Sequence, residues 1–315
     1  MATDAGIAGR IQKKYNLLVL LGPTASGKTG LAAALARRIG AEIISADSRQ
    51  VYRGMDLGTG KDLAEYSRGG PPVPCHLIDI LDPAEECSVF TFQKLFYRSF
   101  REITGRGNIP LLVGGTGLYL DAVIRGYRLP EVPEDPVLRR ELEREPMAAL
   151  RDRLLFLGSV MHNTTDLRVR HRLVRAIEIA EHMRRIVEGQ GSPIPLSCLV
   201  MGIRCERKAL RRRIAERLKA RLAAGMVEEV MALHKRGITW ERIDSFGLEY
   251  RYVGRYLQGA LTHEAMVETL TTRIGQFAKR QETWFRGMER KGVRIHWIEE
   301  PTIDKVLSLI DGLAG

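Results

Sequence analysis

The chain has 315 residues, room for one large domain or two modest ones, and its 44 % hydrophobic and 28 % charged content is that of an ordinary globular protein. The longest apolar runs are far too short to cross a bilayer, and residues 1–16 hold no apolar signal region, so no membrane association and a cytoplasmic location are expected. An excess of 49 Lys and Arg over 38 Asp and Glu gives a formal charge of +11, which favours a polyanionic partner, while Cys75, Cys87, Cys198 and Cys205 match no zinc or disulfide spacing.

In chain order, LLVLL at 17–21 is expected as a short buried strand that leads through a glycine-rich turn into a helix over 29–39. AEIIS at 41–45 is a second strand, ending at Asp47. The apolar runs at 76–80 and 110–114 are expected as two more, with a helix over 90–107 stopped by glycine between them. Strands alternating with helices imply a parallel sheet covered on both faces. The character changes near residue 130. Pro130, Pro133 and Pro136 open a stretch that carries eleven arginines between 139 and 185 and has no strand-like run; GQGSPIP at 189–195 closes it. LVMGI at 199–203 is one more core strand. The fold class expected is α/β: a P-loop core with a parallel sheet flanked by helices over 1–128 and 197–315, its C-terminal part helical, and a helical insertion over 129–196.

Gly22, Pro23, Thr24, Ala25, Ser26, Gly27, Lys28 and Thr29 fit G-x-x-x-x-G-K-S/T at each fixed position, directly after a strand and opening a helix. The glycines let successive N–H groups point at one anion, and the helix N-terminus adds its positive dipole end. Lys28 brings a mobile charge to the terminal phosphates, and Thr29 offers a hydroxyl to Mg²⁺. Such a loop implies a di- or triphosphate without saying which. A kinase or ATPase would hold its metal through a second carboxylate; Asp79 is the formal candidate, or it shapes the turn after its strand. Asp47, beyond the end of a strand, falls in the crevice where doubly wound sheets bind ligands. There it could hold metal, take a proton, or cap a turn. Thr116 sits in a second glycine turn, where Gly114, Gly115 and Gly117 imply that something approaches the backbone closely, or it is a plain turn residue. Arg213, Arg217 and Arg221 form a stripe beside the apolar row Leu210, Ile214, Leu218 and Leu222, either a stiff grip on a diphosphate or a solvated basic face.

Six segments, GPTASGKT (22–29), AEIISADSRQVYRGMDLGTGK (41–61), CHLIDILDP (75–83), PLLVGGTGLYL (110–120), RIAERLKARLAAGMVEEVMAL (213–233) and FAKRQETWFR (277–286), together resemble the tRNA dimethylallyltransferase (isopentenyltransferase) family. The resemblance implies transfer of a dimethylallyl group from dimethylallyl diphosphate to N6 of the adenosine immediately 3′ of the anticodon. It implies that residues 22–29 hold the diphosphate with Mg²⁺ near Thr29, that Asp47 is the general base, that Thr116 orients that base or the adenine amine, and that Arg217 joins Lys28 on the leaving group. Asp47, Ser48, Arg49, Gln50 and Thr116, with His171, Arg172, Leu173, Val174 and Arg175 of the insertion, would contact the tRNA anticodon stem-loop. Lys279, Arg280, Gln281 and Trp284 match the family's C-terminal signature without a secure role. A monomer is expected.

Departures from the family pattern fall at Gly60, commonly alanine, at Cys75, commonly histidine, in the shortened stretch 155–168, and at SFGLEYR (245–251), which replaces a Gly-Tyr turn. Three rival classes are an isopentenyltransferase acting on free adenine nucleotides, a P-loop small-molecule kinase, and a non-catalytic P-loop nucleic-acid binder.

Overall fold

Short strands without a polar break are buried on both faces, and the centre of a parallel sheet is where such strands belong. In the computed structural model, which describes residues 4–158, 167–185 and 194–314, the strands are β1 (Leu17–Leu21), β2 (Ala41–Ala46), β3 (Cys75–His76), β4 (Ile109–Gly114), β5 (Cys198–Arg204) and β6 (Ile295–Glu299). They form one parallel sheet in the order β3-β2-β4-β1-β5-β6. Register aligns Val19 with Leu112 on one side and Val200 on the other. Side chains alternate across a strand. Leu18 and Leu20 of β1 therefore enter one core layer, and Leu17, Val19 and Leu21 the opposite one.

Helices α1 (Asp4–Lys14), α2 (Lys28–Ile39), α3 (Val89–Gly105) and α4 (Gly117–Ile124) precede the insertion; α5 (Pro136–Arg144), α6 (Met147–Phe156) and α7 (Arg170–Arg185) lie within it. After β5 come α8 (Arg207–Ala223), α9 (Met226–Lys235), α10 (Trp240–Ser245), α11 (Leu248–Leu257), α12 (His263–Arg290) and, after β6, α13 (Ile303–Ala314). One face of the sheet is covered by α1, α2 and α13 through Ile11, Leu35 and Ile310, the other by α3, α4 and α12 through Phe92, Leu120 and Phe285. A third cluster joins α8, α9, α11 and α12 to residues 51–55 through Ile214, Val230, Tyr250 and Ile274. Among the described residues no helix is long and apolar enough to cross a membrane.

The strand expected over 76–80 exists only as Cys75–His76, because Leu77 and Asp79 take φ of 62° and 55°, which an extended strand cannot contain. α1 and β6 have no counterpart among the sequence expectations. β6 is an edge strand whose five residues alternate imperfectly between buried and exposed, so it carries little periodic signal.

The chain divides into two compact units, Met1–Tyr127 with Ile194–Gly315, and Arg128–Pro193. In the second, Leu138, Leu142, Leu150, Leu154, Leu173, Val174 and Ile177 make a separate core. Its buried Glu178 is matched by Arg139, by Arg175 and by the Asp135 N–H. A charge removed from water needs such partners.

Glu42 meets the same requirement inside the sheet. It is 4 % exposed and accepts from Arg106 Nε at 3.0 Å and Nη2 at 2.8 Å, from Asn108 Nδ2 at 2.7 Å, and lies 2.7 Å from His76 Nε2. Burial opposes its charge, and the bonds from Arg106, Asn108 and His76 overcome that cost and hold the carboxyl at about 2. A depressed carboxyl stabilises the fold above its unfolded value, here 4.5, and that contribution disappears as pH falls through about 2. The shift corresponds to about 3 kcal/mol. Glu42→Gln is expected to lower the urea midpoint markedly at pH 7, with the gap from the wild type closing below pH 4.5. A gap of constant size at every pH would remove Glu42 from the acid response.

Candidate active site at the carboxyl ends of the strands

The ends of β1, β2 and β4 deliver three turns to one edge of the sheet: residues 22–27, the turn from Asp47, and Gly115–Thr116. In the first, Ala25 and Gly27 adopt φ of 61° and 83°, so the backbone coils before α2 starts at Lys28. That conformation collects N–H groups on one side, ahead of a helix dipole. Ser26 Oγ is buried there with no hydrogen-bond partner among the described residues.

Two cations face this loop. Lys28 Nζ donates to the Pro23 carbonyl at 3.3 Å. Burial, and then repulsion from Arg217, lower its pKa to about 8. Arg217, on α8, donates through Nη2 to Thr24 Oγ1. Burial and then Arg221 lower its pKa to about 10. Asp47 lies close enough for its charge to raise both values. Its Oδ1 accepts from the N–H groups of Arg49 at 2.9 Å and Gln50 at 3.3 Å. Thr116 clasps the same turn: its Oγ1 accepts from the Ser48 N–H at 3.2 Å, and its own N–H donates to Ala46 at 3.3 Å. Gln50 turns its amide inward, donating to the Gly60 carbonyl at 3.1 Å.

The close approach inferred from the second glycine turn is made by protein. A Cβ at Gly114 would lie 2.7 Å from the Ala46 carbonyl carbon, one at Gly115 3.0 Å from the Gly22 carbonyl, and one at Gly117 2.5 Å from Trp284 Cδ1. Gln281 of α12 uses the space. Its Oε1 accepts from the Thr24 N–H at 2.8 Å, and its Nε2 donates to the Gly115 carbonyl at 2.8 Å. This joins the P-loop to the turn that bears Thr116, a role the signature stretch did not reveal from sequence.

Asp79 is committed elsewhere. Its carboxylate pairs with the buried Lys61, whose Nζ also meets Asp56 Oδ1 at 2.9 Å and the Tyr52 carbonyl at 2.6 Å. Of the sequence alternatives for Asp79, the structure favours the turn. Arg213 is exposed, as a solvated face would be, whereas Arg221 is 8 % exposed and belongs to the interior. No cluster of three or more His, Cys, Asp or Glu able to hold a metal occurs among the described residues. Mg²⁺ on a nucleotide or diphosphate needs only one or two protein ligands, since phosphate oxygens and water supply the rest. Thr29, in the first turn of α2, fits that need.

Within the helical unit, the five positions expected to contact nucleic acid separate by helical phase. His171 and Arg172 are exposed. Leu173 and Val174, at 0 % and 6 % exposure, belong to the unit's core. Arg175 donates to Glu178 and, at 2.7 Å, to the Val132 carbonyl, so its guanidinium braces the unit.

Residues 50–288 match the sequence model of the IPP transferase family, and residues 15–69 that of isopentenyl transferase. The chain is 57 % identical over 285 residues to tRNA dimethylallyltransferase 1 of Syntrophus aciditrophicus (strain SB), covering 90 % of this chain and 93 % of that relative. Among solved structures it is similar to the full-length tRNA isopentenylpyrophosphate transferase from Bacillus halodurans, with 36 % identity, a TM-score of 0.69 and 96 % of each chain covered. It is also similar to the tRNA delta(2)-isopentenylpyrophosphate transferase from Staphylococcus epidermidis, at 30 % identity and a TM-score of 0.66, with 94 % of this chain and 97 % of that one covered.

The lowered Lys28 pKa predicts that anion affinity at this loop varies with pH near neutrality. The protonated amine attracts the anion, so a bound anion raises the pKa and affinity falls as pH climbs through about 8. Comparing wild type with Lys28→Met by calorimetry on inorganic pyrophosphate cancels the ligand's own titration. The affinity ratio should be flat below pH 7 and fall by up to about tenfold per unit above pH 8. A ratio that stays flat to pH 9.5 would show that Lys28 does not serve the anion.

Proposed function

The chain belongs to the IPP transferase family of enzymes, and we propose that it transfers a dimethylallyl group from dimethylallyl diphosphate to N6 of the adenosine immediately 3′ of the anticodon in tRNA. The observation that carries this reading is the placement of Asp47, a carboxylate anchored by the Arg49 and Gln50 N–H groups, within reach of the charges of Lys28 and Arg217.

The reaction is a displacement. The N6 lone pair forms a bond to the primary allylic carbon, the carbon–oxygen bond breaks, and its electrons leave with the diphosphate. Negative charge grows on the leaving group, and the P-loop amides, Lys28 and Arg217 stand ready where it grows. Ser26 Oγ, buried without a partner, is a further donor for those oxygens. Mg²⁺, held by Thr29 together with the diphosphate itself, would supply additional charge neutralisation when bound. An exocyclic amine is a weak nucleophile, so Asp47 takes its proton as the new bond forms, with Thr116 steadying the turn that carries the carboxylate. The target base has to leave its stack to reach this edge of the sheet. Names of the relatives, tRNA dimethylallyltransferase and tRNA isopentenylpyrophosphate transferase, support tRNA as the acceptor in place of free nucleotides. The pairing of Asp79 with Lys61 weighs against a kinase. The reading includes action as a monomer in the cytoplasm.

Incubation with unmodified tRNA, labelled dimethylallyl diphosphate and Mg²⁺, followed by mapping of the labelled nucleoside, tests the reaction directly; label only in free AMP or ADP would move the reading to a free-nucleotide enzyme. Asp47→Ala is expected to cut turnover by roughly two to four orders of magnitude. Its pyrophosphate affinity should hold or rise, because an anion is repelled by that carboxylate. Near-normal turnover would take Asp47 out of the chemistry.

The helical unit is the part we assign to tRNA, through the exposed His171 and Arg172 on α7. Each phosphate contact releases counterions, so affinity for tRNA should drop steeply with salt, and Arg172→Ala should flatten the slope of log K against log salt by about one. Arg175→Ala should instead lower the melting temperature, because it strips Glu178 of a partner. An unchanged slope for Arg172→Ala would place the tRNA surface on other residues.

A further inference from the structure

One guanidinium in the catalytic unit lacks the partners that its burial demands. Arg221 follows Arg217 by four residues on α8, about 6 Å along the axis. It is 8 % exposed, and its Nη2 has no hydrogen-bond partner among the described residues. Asp62 offers it a carboxylate oxygen at 3.9 Å, and that side chain is 53 % exposed. This is too far for a hydrogen bond and too wet for a strong pair. Buried cations are ordinarily paired, and an arginine presents five donors in a fixed fork.

The backbone opposite Arg221 is shaped to admit it. Gly60 has φ of 68°, and a Cβ there would lie 2.6 Å from Arg221 Cζ. The loop cannot easily back away. Glu229 accepts from the N–H groups of Asp56 at 2.8 Å, Leu57 at 2.7 Å and Gly58 at 3.0 Å, and from the Tyr250 hydroxyl at 2.7 Å. The Gly60 carbonyl is tied in turn to Gln50, three residues from Asp47. Arg221 therefore occupies a slot that exists only because residue 60 has no side chain. There it lies close enough to Arg217 for the two charges to repel.

We propose that Arg221 is a further diphosphate-binding residue of this enzyme, admitted by Gly60 and donating, beside Arg217, to an oxygen of the leaving group. The proposal rests on the reading of residues 22–29 as the diphosphate site. Two guanidiniums one turn apart repel each other, and burial together with Arg221 already lowers the pKa of Arg217. Glu249, whose charge both arginines favour, is itself pushed toward its neutral form by burial. A multiply charged anion between the arginines and Lys28 removes the repulsion and supplies the missing acceptor.

Arg221→Met, Gly60→Ala and the double variant can be compared with wild type by calorimetry and thermal unfolding, with inorganic pyrophosphate as the probe and tRNA binding as the control. A charged hydrogen bond lost from a buried site should weaken pyrophosphate binding by about ten- to a hundredfold in Arg221→Met. Its melting temperature without ligand should hold or rise, because an unpartnered charge is gone, while the stabilisation given by pyrophosphate shrinks. Gly60→Ala should weaken binding as well, and in the double variant the two losses should not add, since both act on one guanidinium. Affinity for tRNA should be unchanged throughout. A lower melting temperature in Arg221→Met with wild-type pyrophosphate affinity would make Arg221 a structural residue and overturn the proposal. So would tRNA binding weakened while pyrophosphate binding is kept. Failure of the wild type itself to bind pyrophosphate would overturn the diphosphate reading of the P-loop on which the proposal stands.

Discussion

A single side-chain amide, that of Gln281, holds the catalytic edge together. It receives the Thr24 N–H from the P-loop and gives its own N–H to the carbonyl of Gly115. Three elements far apart in sequence, the turn after β1, the turn after β4 and the middle of α12, are thereby locked in one arrangement. The glycines of the second turn follow from this lock, since side chains at 115 and 117 would collide with Gln281 and Trp284. Thr116 then has a fixed place from which to clasp the turn of Asp47. In the mechanism proposed, the Asp47 carboxylate meets a reacting amine, and an error of an ångström in its place would be costly, so a rigid support of this kind matters as much as the carboxylate itself.

Against this rigid frame the site concentrates charge at a cost to stability. Lys28 and Arg217 both have lowered pKa values because burial disfavours their charged forms and because the cations repel one another. Ser26 Oγ and Arg221 Nη2 add donors without acceptors. In a purely structural core such an arrangement would be a defect. At the start of a helix, beside a coiled N–H-rich loop, it suits the preorganised anion site we propose. The donors are already in place when charge develops, and little reorganisation remains.

The fully satisfied charges of the molecule mark where structure alone is served. Lys61 is surrounded by Asp56, Asp79 and the Tyr52 carbonyl, and Glu42 by Arg106, Asn108 and His76. In the helical unit Glu178 is matched by Arg139 and Arg175. Distinguishing these pairs from the incomplete ones separates scaffold from chemistry. It also accounts for glycine at position 60: a methyl group there would occupy the place of the Arg221 guanidinium.

What the sequence determined by itself is whatever depends on residues close together in the chain. The P-loop could be read because its glycines, Lys28 and Thr29 act within eight consecutive positions, between an apolar run and a helical pattern. The parallel sheet and the separate arginine-rich insertion could be read because hydrophobic periodicity and proline placement are local signals. Tertiary structure decided the rest. β3 ended at His76 because positive φ at Leu77 and Asp79 stopped it, and an apolar run does not report φ. Arg213, Arg217 and Arg221 have the same spacing and the same chemistry. Only the approach of Thr24 and Gly60, both remote in sequence, brings the second onto the P-loop and buries the third, while the first stays in solvent. Leu173 and Val174 fell to the core for a similar reason: helical phase relative to α5 and α6, which a five-residue motif does not carry, decides which side chains face inward. Burial and long-range partners are properties of the folded chain, and they are what divide this protein's charges into those matched within the fold and those left with donors to spare.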